Sequence, residues 1–298
     1  ETRGSNNKSN IIISSSSSTT STITSSSNNS NNDNNLNNDN DNTSIDRFRN
    51  KSSVYDLCQR IRNCKTLMEV YCLYRSESIS MKPCHISFYW NQISRLISIS
   101  NSNKSSYSPM GSFSCLQRLK RNPTLLKPLV GKTIFHNSEL DTRSLAVTAH
   151  ALAKISHKTR KPIVDSDKLW ELLEKNIIEK ATSTKDNFSS QECANIVWSF
   201  AKEFGGRQQH RGKTTSSNYN PALLFDAMID QLTPKLHLCN AQDIANTVWA
   251  FATADHPAPA LFDAMIPTAM EQLDKFDSQN LANTVWAYAT VRHPASQL

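Results

Sequence analysis

Asn195, Asn246 and Asn283 each stand three residues before a tryptophan, Trp198, Trp249 and Trp286. An amide beside a large flat ring is chemistry that single-stranded nucleic acid can use: the amide offers donor and acceptor atoms to a base edge, and an exposed ring offers a face for stacking. The same residues serve as scaffold when turned inward. A half-buried amide that finds no partner costs about 1–3 kcal/mol, so a ladder of amides bonded from one hairpin to the next is the expected arrangement. Each Asn falls at the edge of an apolar helical stripe and each Trp within it. A Trp in that position sets the distance between helices, and stacking on bases requires it exposed.

Cations supply the second candidate chemistry. Residues 46–160 hold 19 Lys and Arg against 6 Asp and Glu, whereas residues 161–298 hold 12 against 16 and residues 1–45 hold 2 against 4. The surplus of the first of these segments exceeds an ordinary surface balance and would draw a polyanion by counterion release. Arg118, Lys120, Arg121, Lys127 and Lys132 are expected close together on one helix, and His157, Lys158, Arg160 and Lys161 in a turn beyond the next. The plainer reading is a solvated basic face. A further basic run, Arg207–Lys213, lies in an insertion and is read as a permissive loop.

Other chemistries find little support. Seven cysteines, Cys58, Cys64, Cys72, Cys84, Cys115, Cys193 and Cys239, form no CxxC pair and are odd in number, so they read as buried free thiols in a reducing compartment. Neither a metal nor a cofactor is expected. Six glycines give no phosphate loop, and neither GxSxG nor HExxH occurs. Asp226 and Asp263 repeat with the helix that carries them. No apolar run reaches the length of a membrane span. The expectation is a chain that is not an enzyme, has no small-molecule substrate and does not cross a membrane.

The elements that must position these residues form a repeat. DIANTVWAFA (Asp243–Ala252) returns as NLANTVWAYA (Asn280–Ala289), and the offset of 37 is kept by Phe225 and Phe262, Asp226 and Asp263, and Trp249 and Trp286. ECANIVWSFA (Glu192–Ala201) and SLAVTAHALA (Ser144–Ala153) extend the series, with Val147 and His150 standing where Asn and Trp stand later. From Asn195 to Asn246 the spacing is 51, the excess being a Gly-, Ser- and Asn-rich insertion. Such a period marks one supersecondary unit, copied and stacked.

Each unit has two helices. Ile244, Val248 and Ala252, with Ala245, Trp249 and Phe251, describe a broad apolar stripe. Six residues before the Asn position stand Asp141, Ser189, Asn240 and Asp277, all N-cap residue types. First helices are expected from Pro221, from Pro259 with a kink at Pro267, over Asp167–Ala181, and around Leu116–Val130. An earlier hairpin covers KTLMEVYCLYRSES and HISFYWNQISRLIS, where Ile86, Tyr89, Trp90 and Ile93 share a stripe. Residues 1–45 are a Ser/Asn/Thr tract with almost nothing to bury and read as disordered. The expected architecture is all-α: a right-handed solenoid of five to six helical hairpins over residues 46–298, with clear copies from about 140.

These phrases carry a resemblance. LANTVWAYAT, IANTVWAFATADHPAPALFDAMI and CANIVWSFAK resemble the helical repeats of algal and diatom proteins related to octotricopeptide-repeat and FAST-kinase-like RNA-binding proteins, and HISFYWNQISRLI is similar to a segment that precedes them. The resemblance is clear from about Leu140 onward and looser from Cys64. It implies a nucleus-encoded factor of a mitochondrion or chloroplast that binds single-stranded organellar RNA, alone or with other RNA-processing proteins, and governs processing, stability or translation. Members often end in a small nuclease-like RAP domain. Here the chain stops at PASQL, where another first helix should begin, which reads as a truncated array. The RNA contacts expected are Arg118, Lys120, Arg121, Lys127, Lys132, Lys158, Arg160 and Lys161 for phosphates and Asn195, Asn246 and Asn283 for bases. The competing expectation is a protein-binding scaffold of the HEAT or armadillo kind, whose acidic later repeats grip a basic partner.

Overall fold

The computed structural model describes residues 54–102, 114–205 and 221–294, all within the unit Asp46–Leu298. The Ser/Asn-rich tract and the insertion Arg207–Lys213 lie outside the described residues. Those described form twelve α-helices and no strand: α1 (54–63), α2 (Leu67–Glu77), α3 (Pro83–Ser102), α4 (Cys115–Arg121), α5 (Lys127–Phe135), α6 (Thr142–Thr159), α7 (Ser166–Thr182), α8 (Ser190–Phe204), α9 (Pro221–Leu232), α10 (Ala241–Ala254), α11 (Pro259–Glu271) and α12 (Ser278–Thr290).

The four expected caps all form. Asp141 accepts from the Ser144 N–H at 2.7 Å and Asp277 from the Asn280 N–H at 2.7 Å. Ser189 and Asn240 build full capping boxes with Glu192 and Asp243. With the starts fixed, the apolar stripes of the second helices face the same way. As a result α3, α6, α8, α10 and α12 pack in that order, each against the next. Ile86, Tyr89 and Trp90 are fully buried, as are Ile244, Ala245, Val248 and Phe251.

The first helices form the other layer. α5 packs on α7 and α7 on α9, and the 3-10 turn Thr233–Leu238 after α9 packs on α11. The expected single helix around Leu116–Val130 is instead broken into α4, a 3-10 turn over Pro123–Leu126, and α5. Proline explains the break. Pro123 has no N–H to continue α4 and forces Asn122 out of helical geometry, to φ −125° and ψ 81°, while Pro128 suits the first turn of α5. α11 runs from Pro259 through Pro267 to Glu271 as one assigned helix.

Amides do join neighbouring segments, chiefly in the first-helix layer, although Gln92 of α3 also donates to the Cys64 carbonyl at 2.6 Å. Asn137 donates to the Leu172 carbonyl at 3.0 Å, and Asn176 donates to that of Asn137. Gln231 donates to the Ala181 carbonyl at 2.9 Å and accepts from the Phe188 N–H, and Gln272 donates to the Cys239 carbonyl at 2.6 Å. Asp226 and Asp263 repeat for a definable reason: each carboxylate meets the histidine just past the second helix of its own hairpin, His256 at 2.9 Å and His293 at 3.1 Å. All seven cysteines are free thiols. Five are buried, Cys84 is half-buried and Cys72 exposed.

Candidate nucleic-acid interface

The C-terminal turns of α6 and α8 come together around a cleft of about 450 Å³ lined by Ser156, His157, Lys158, Arg160, Lys161, Pro162, Lys202 and Glu203. α6 ends because Arg160 adopts a left-handed conformation, φ 58°, its N–H bonded back to the His157 carbonyl. That reversal turns Arg160 and Lys161 back toward the end of α8. Among the described residues Lys158, Arg160, Lys161 and Lys202 have no ion-pair partner.

The cations disturb one another. Lys202 has its pKa lowered by burial and then by Lys158, and Lys154 likewise. His157 is lowered by burial and then by Lys202, Lys158 and Arg160. Two helix C-termini contribute roughly one negative charge between them, and Glu203, itself partnered, contributes one more. Four cations in the lining exceed that. The cleft therefore carries net positive charge beyond what helix dipoles call for.

The sequence-expected cations divide. Lys158, Arg160 and Lys161 line this cleft, and Lys120 shares an adjoining groove with Lys161, Ile155 and Pro162. Lys127 is committed to Asp165 at 2.9 Å. Lys132 is half-buried on α5, its ammonium 6.0 Å from the Phe135 ring centre, and Arg118 and Arg121 lie on the separate α4. The five are therefore not one helical patch. Lys202 and Lys154 were missed by sequence reasoning. The signal was present in the repeat frame, since each stands four residues after the Trp position, where Thr253 and Thr290 stand in the later copies.

The Asn and Trp positions share the face of the second-helix layer that leads to the cleft, for Asn195, Trp198 and Lys202 lie one helical turn apart on α8. Asn195, Asn246 and Asn283 are half-buried, and their side chains make no hydrogen bond among the described residues. The expected ladder of these three amides does not form. α8, α10 and α12 already meet through apolar side chains, and each Asn sits at the rim of that contact where water reaches it. The tryptophans are also less buried than a core role implies. Trp198 and Trp249, each with a helix on either side, are half-buried, Trp286 on the last described helix is 46% exposed, and Trp90 and Trp170 lie inside. Lys202 places its ammonium 5.2 Å from the Trp249 ring centre.

Among the described residues no group of three or more His, Cys, Asp or Glu could hold a metal ion, and no helix is long and apolar enough to cross a membrane. Residues 190–294, which span α8 to α12 and all three Asn–Trp copies, match the family model of the Tbc2 translation factor, N-terminal domain. No curated protein matches the chain.

Proposed function

We propose that this chain is a non-catalytic RNA-binding factor of an organelle, mitochondrion or chloroplast, that acts after transcription, on RNA processing, stability or translation. The observation that carries the reading is the cleft between the ends of α6 and α8, where Lys158, Arg160, Lys161 and Lys202 crowd together without ion-pair partners. Like charges held this closely raise the energy of the unliganded protein, and a phosphate chain relieves it. The match to a translation-factor domain over residues 190–294 supports the choice of translation among these processes. Lys120 extends the phosphate contacts along the adjoining groove, and Asn195, Asn246 and Asn283, with unpaired amides, meet bases. RNA so held is shielded from nucleases or kept open for the ribosome.

The test is binding of the full chain to an unstructured single-stranded RNA across a salt series, with duplex DNA and a basic protein as competitors. Replacing Lys158, Arg160, Lys161 and Lys202 together by Gln is expected to weaken binding and to flatten the log–log salt slope by about 0.7 for each phosphate that is no longer neutralised. Unchanged affinity and slope would remove the cleft from the assignment. Capture of the basic competitor with no RNA binding would establish a protein-binding scaffold instead.

A further inference from the structure

Ring contacts cross four successive second helices. The His150 ring centre is 5.0 Å from that of Trp198, Trp198 is 6.3 Å from Trp249, and Trp249 is 6.5 Å from Trp286. The row begins on α6, beside the basic cleft, and runs out to α12. A tryptophan that only spaces helices is enclosed, as Trp170 is against Phe200 and Phe204. Trp198 and Trp249 pack on the core along one side only and stay half-buried, so part of each ring reaches solvent.

We propose that Trp198, Trp249 and Trp286 form a base-stacking row for single-stranded RNA, one base to each ring, with Lys154 and Lys202 holding the sugar–phosphate chain alongside. This rests on the RNA-binding reading above. Two features select the occupant. The ring spacing is nearly twice the roughly 3.4 Å rise of a stacked strand, so bases that each meet a ring have to leave their own stack, which a duplex cannot do. Cations without ion-pair partners stand one turn beyond two of the rings, and unpaired amides one turn before three of them. This is the combination of charge, flat faces and hydrogen-bonding edges that single strands use. His150 closes the row at its basic end as a packed ring: burial, with Lys154 adding to it, pushes its imidazole down to about 4, so Trp198 meets an uncharged neighbour there. Lys202 rests over the Trp249 ring, and a phosphate that draws its ammonium aside opens that face to a base.

Two dye-labelled oligomers test the row on the full chain: an unstructured 12-nucleotide RNA, and a strand of the same length with ribose and phosphate but no bases. The wild-type protein is expected to bind the first at least tenfold more tightly and to show quenched tryptophan fluorescence with it alone. Trp286→Ala, at an exposed position, and Trp249→Ala are each expected to lose about 5- to 100-fold in affinity for the RNA and little for the abasic strand. Circular dichroism checks that each variant is folded, and the comparison of the two strands needs no variant. Equal binding of both strands, with Trp286→Ala unchanged, overturns the stacking row and leaves the RNA reading standing. Binding of neither strand overturns both.

Discussion

The first-helix layer and the later second helices, α8, α10 and α12, use the same residue types to opposite ends. In the first-helix layer Asn137, Asn176, Gln231 and Gln272 commit their amides to carbonyls of neighbouring segments, and Trp170 is enclosed by phenylalanines. In α8, α10 and α12 Asn195, Asn246 and Asn283 keep theirs unpaired and Trp198, Trp249 and Trp286 are half-buried or exposed, whereas α3 at the other end of the same layer encloses Trp90 and bonds Gln92 to the Cys64 carbonyl. Both layers stack, so stacking alone does not require polar cross-links. What separates them is the supply of apolar contact. α6, α8, α10 and α12 meet along their length through broad stripes, which leaves their outer edge available for a ligand, whereas the first helices touch less continuously and are tied by amides.

The contrast can be broken at several points. The largest effect is expected from the tryptophans: Trp170→Ala should cost about 3–5 kcal/mol in urea unfolding, while Trp286→Ala should cost less than about 1 kcal/mol. Equal costs would erase the distinction between the layers. Among the amides, Asn176→Ala should cost about 1 kcal/mol, because a buried bond to the Asn137 carbonyl is lost while that carbonyl keeps the Leu140 N–H. Asn246→Ala should stay within about 0.5 kcal/mol; a large loss there would reveal a structural bond that the open face does not show. A cap serves as the standard, with Asn240→Ala expected to cost about 1 kcal/mol through the start of α10.

The most modest signature is read against pH. Burial, helped by Glu171, pushes the Glu174 carboxyl up to about 7 from an ordinary value of 4.5. The folded protein then holds a proton that the unfolded chain releases. The stability this provides is complete below pH 4.5 and is lost as pH rises through 7. Glu174→Gln should therefore raise the urea midpoint at pH 8 and leave it nearly unchanged at pH 4. A rise of equal size at both pH values would show that Glu174 is not buried as a titrating acid in the first layer.

Much of the fold was legible. The 37-residue offset located the hairpins, and Asp141, Ser189, Asn240 and Asp277 located helix starts, because an N-cap involves only one side chain and the turn that follows it. The break at Pro123 was legible in principle, since a proline inside an expected helix removes a donor. The cross-hairpin amides were not. Asn137, Asn176, Gln231 and Gln272 occupy no common place in the repeat, and their partners lie 33 to 50 residues away. The candidate site was legible in its ingredients, the basic turn at Lys158–Lys161 and the Asn–Trp frame, but not in its assembly. Lys202 joins Lys158 from a different hairpin, and Lys127 leaves the set for Asp165.

By itself, then, the sequence determined the repeat, its helices, their caps and the all-α class, since all of these follow from short-range spacing along the chain. Tertiary structure alone decided which amides are bonded and which are left open, which tryptophans are enclosed, and which cations share a cleft. Those outcomes depend on which side chains of one hairpin meet those of the next, and that is a property of packed surfaces that no single repeat contains.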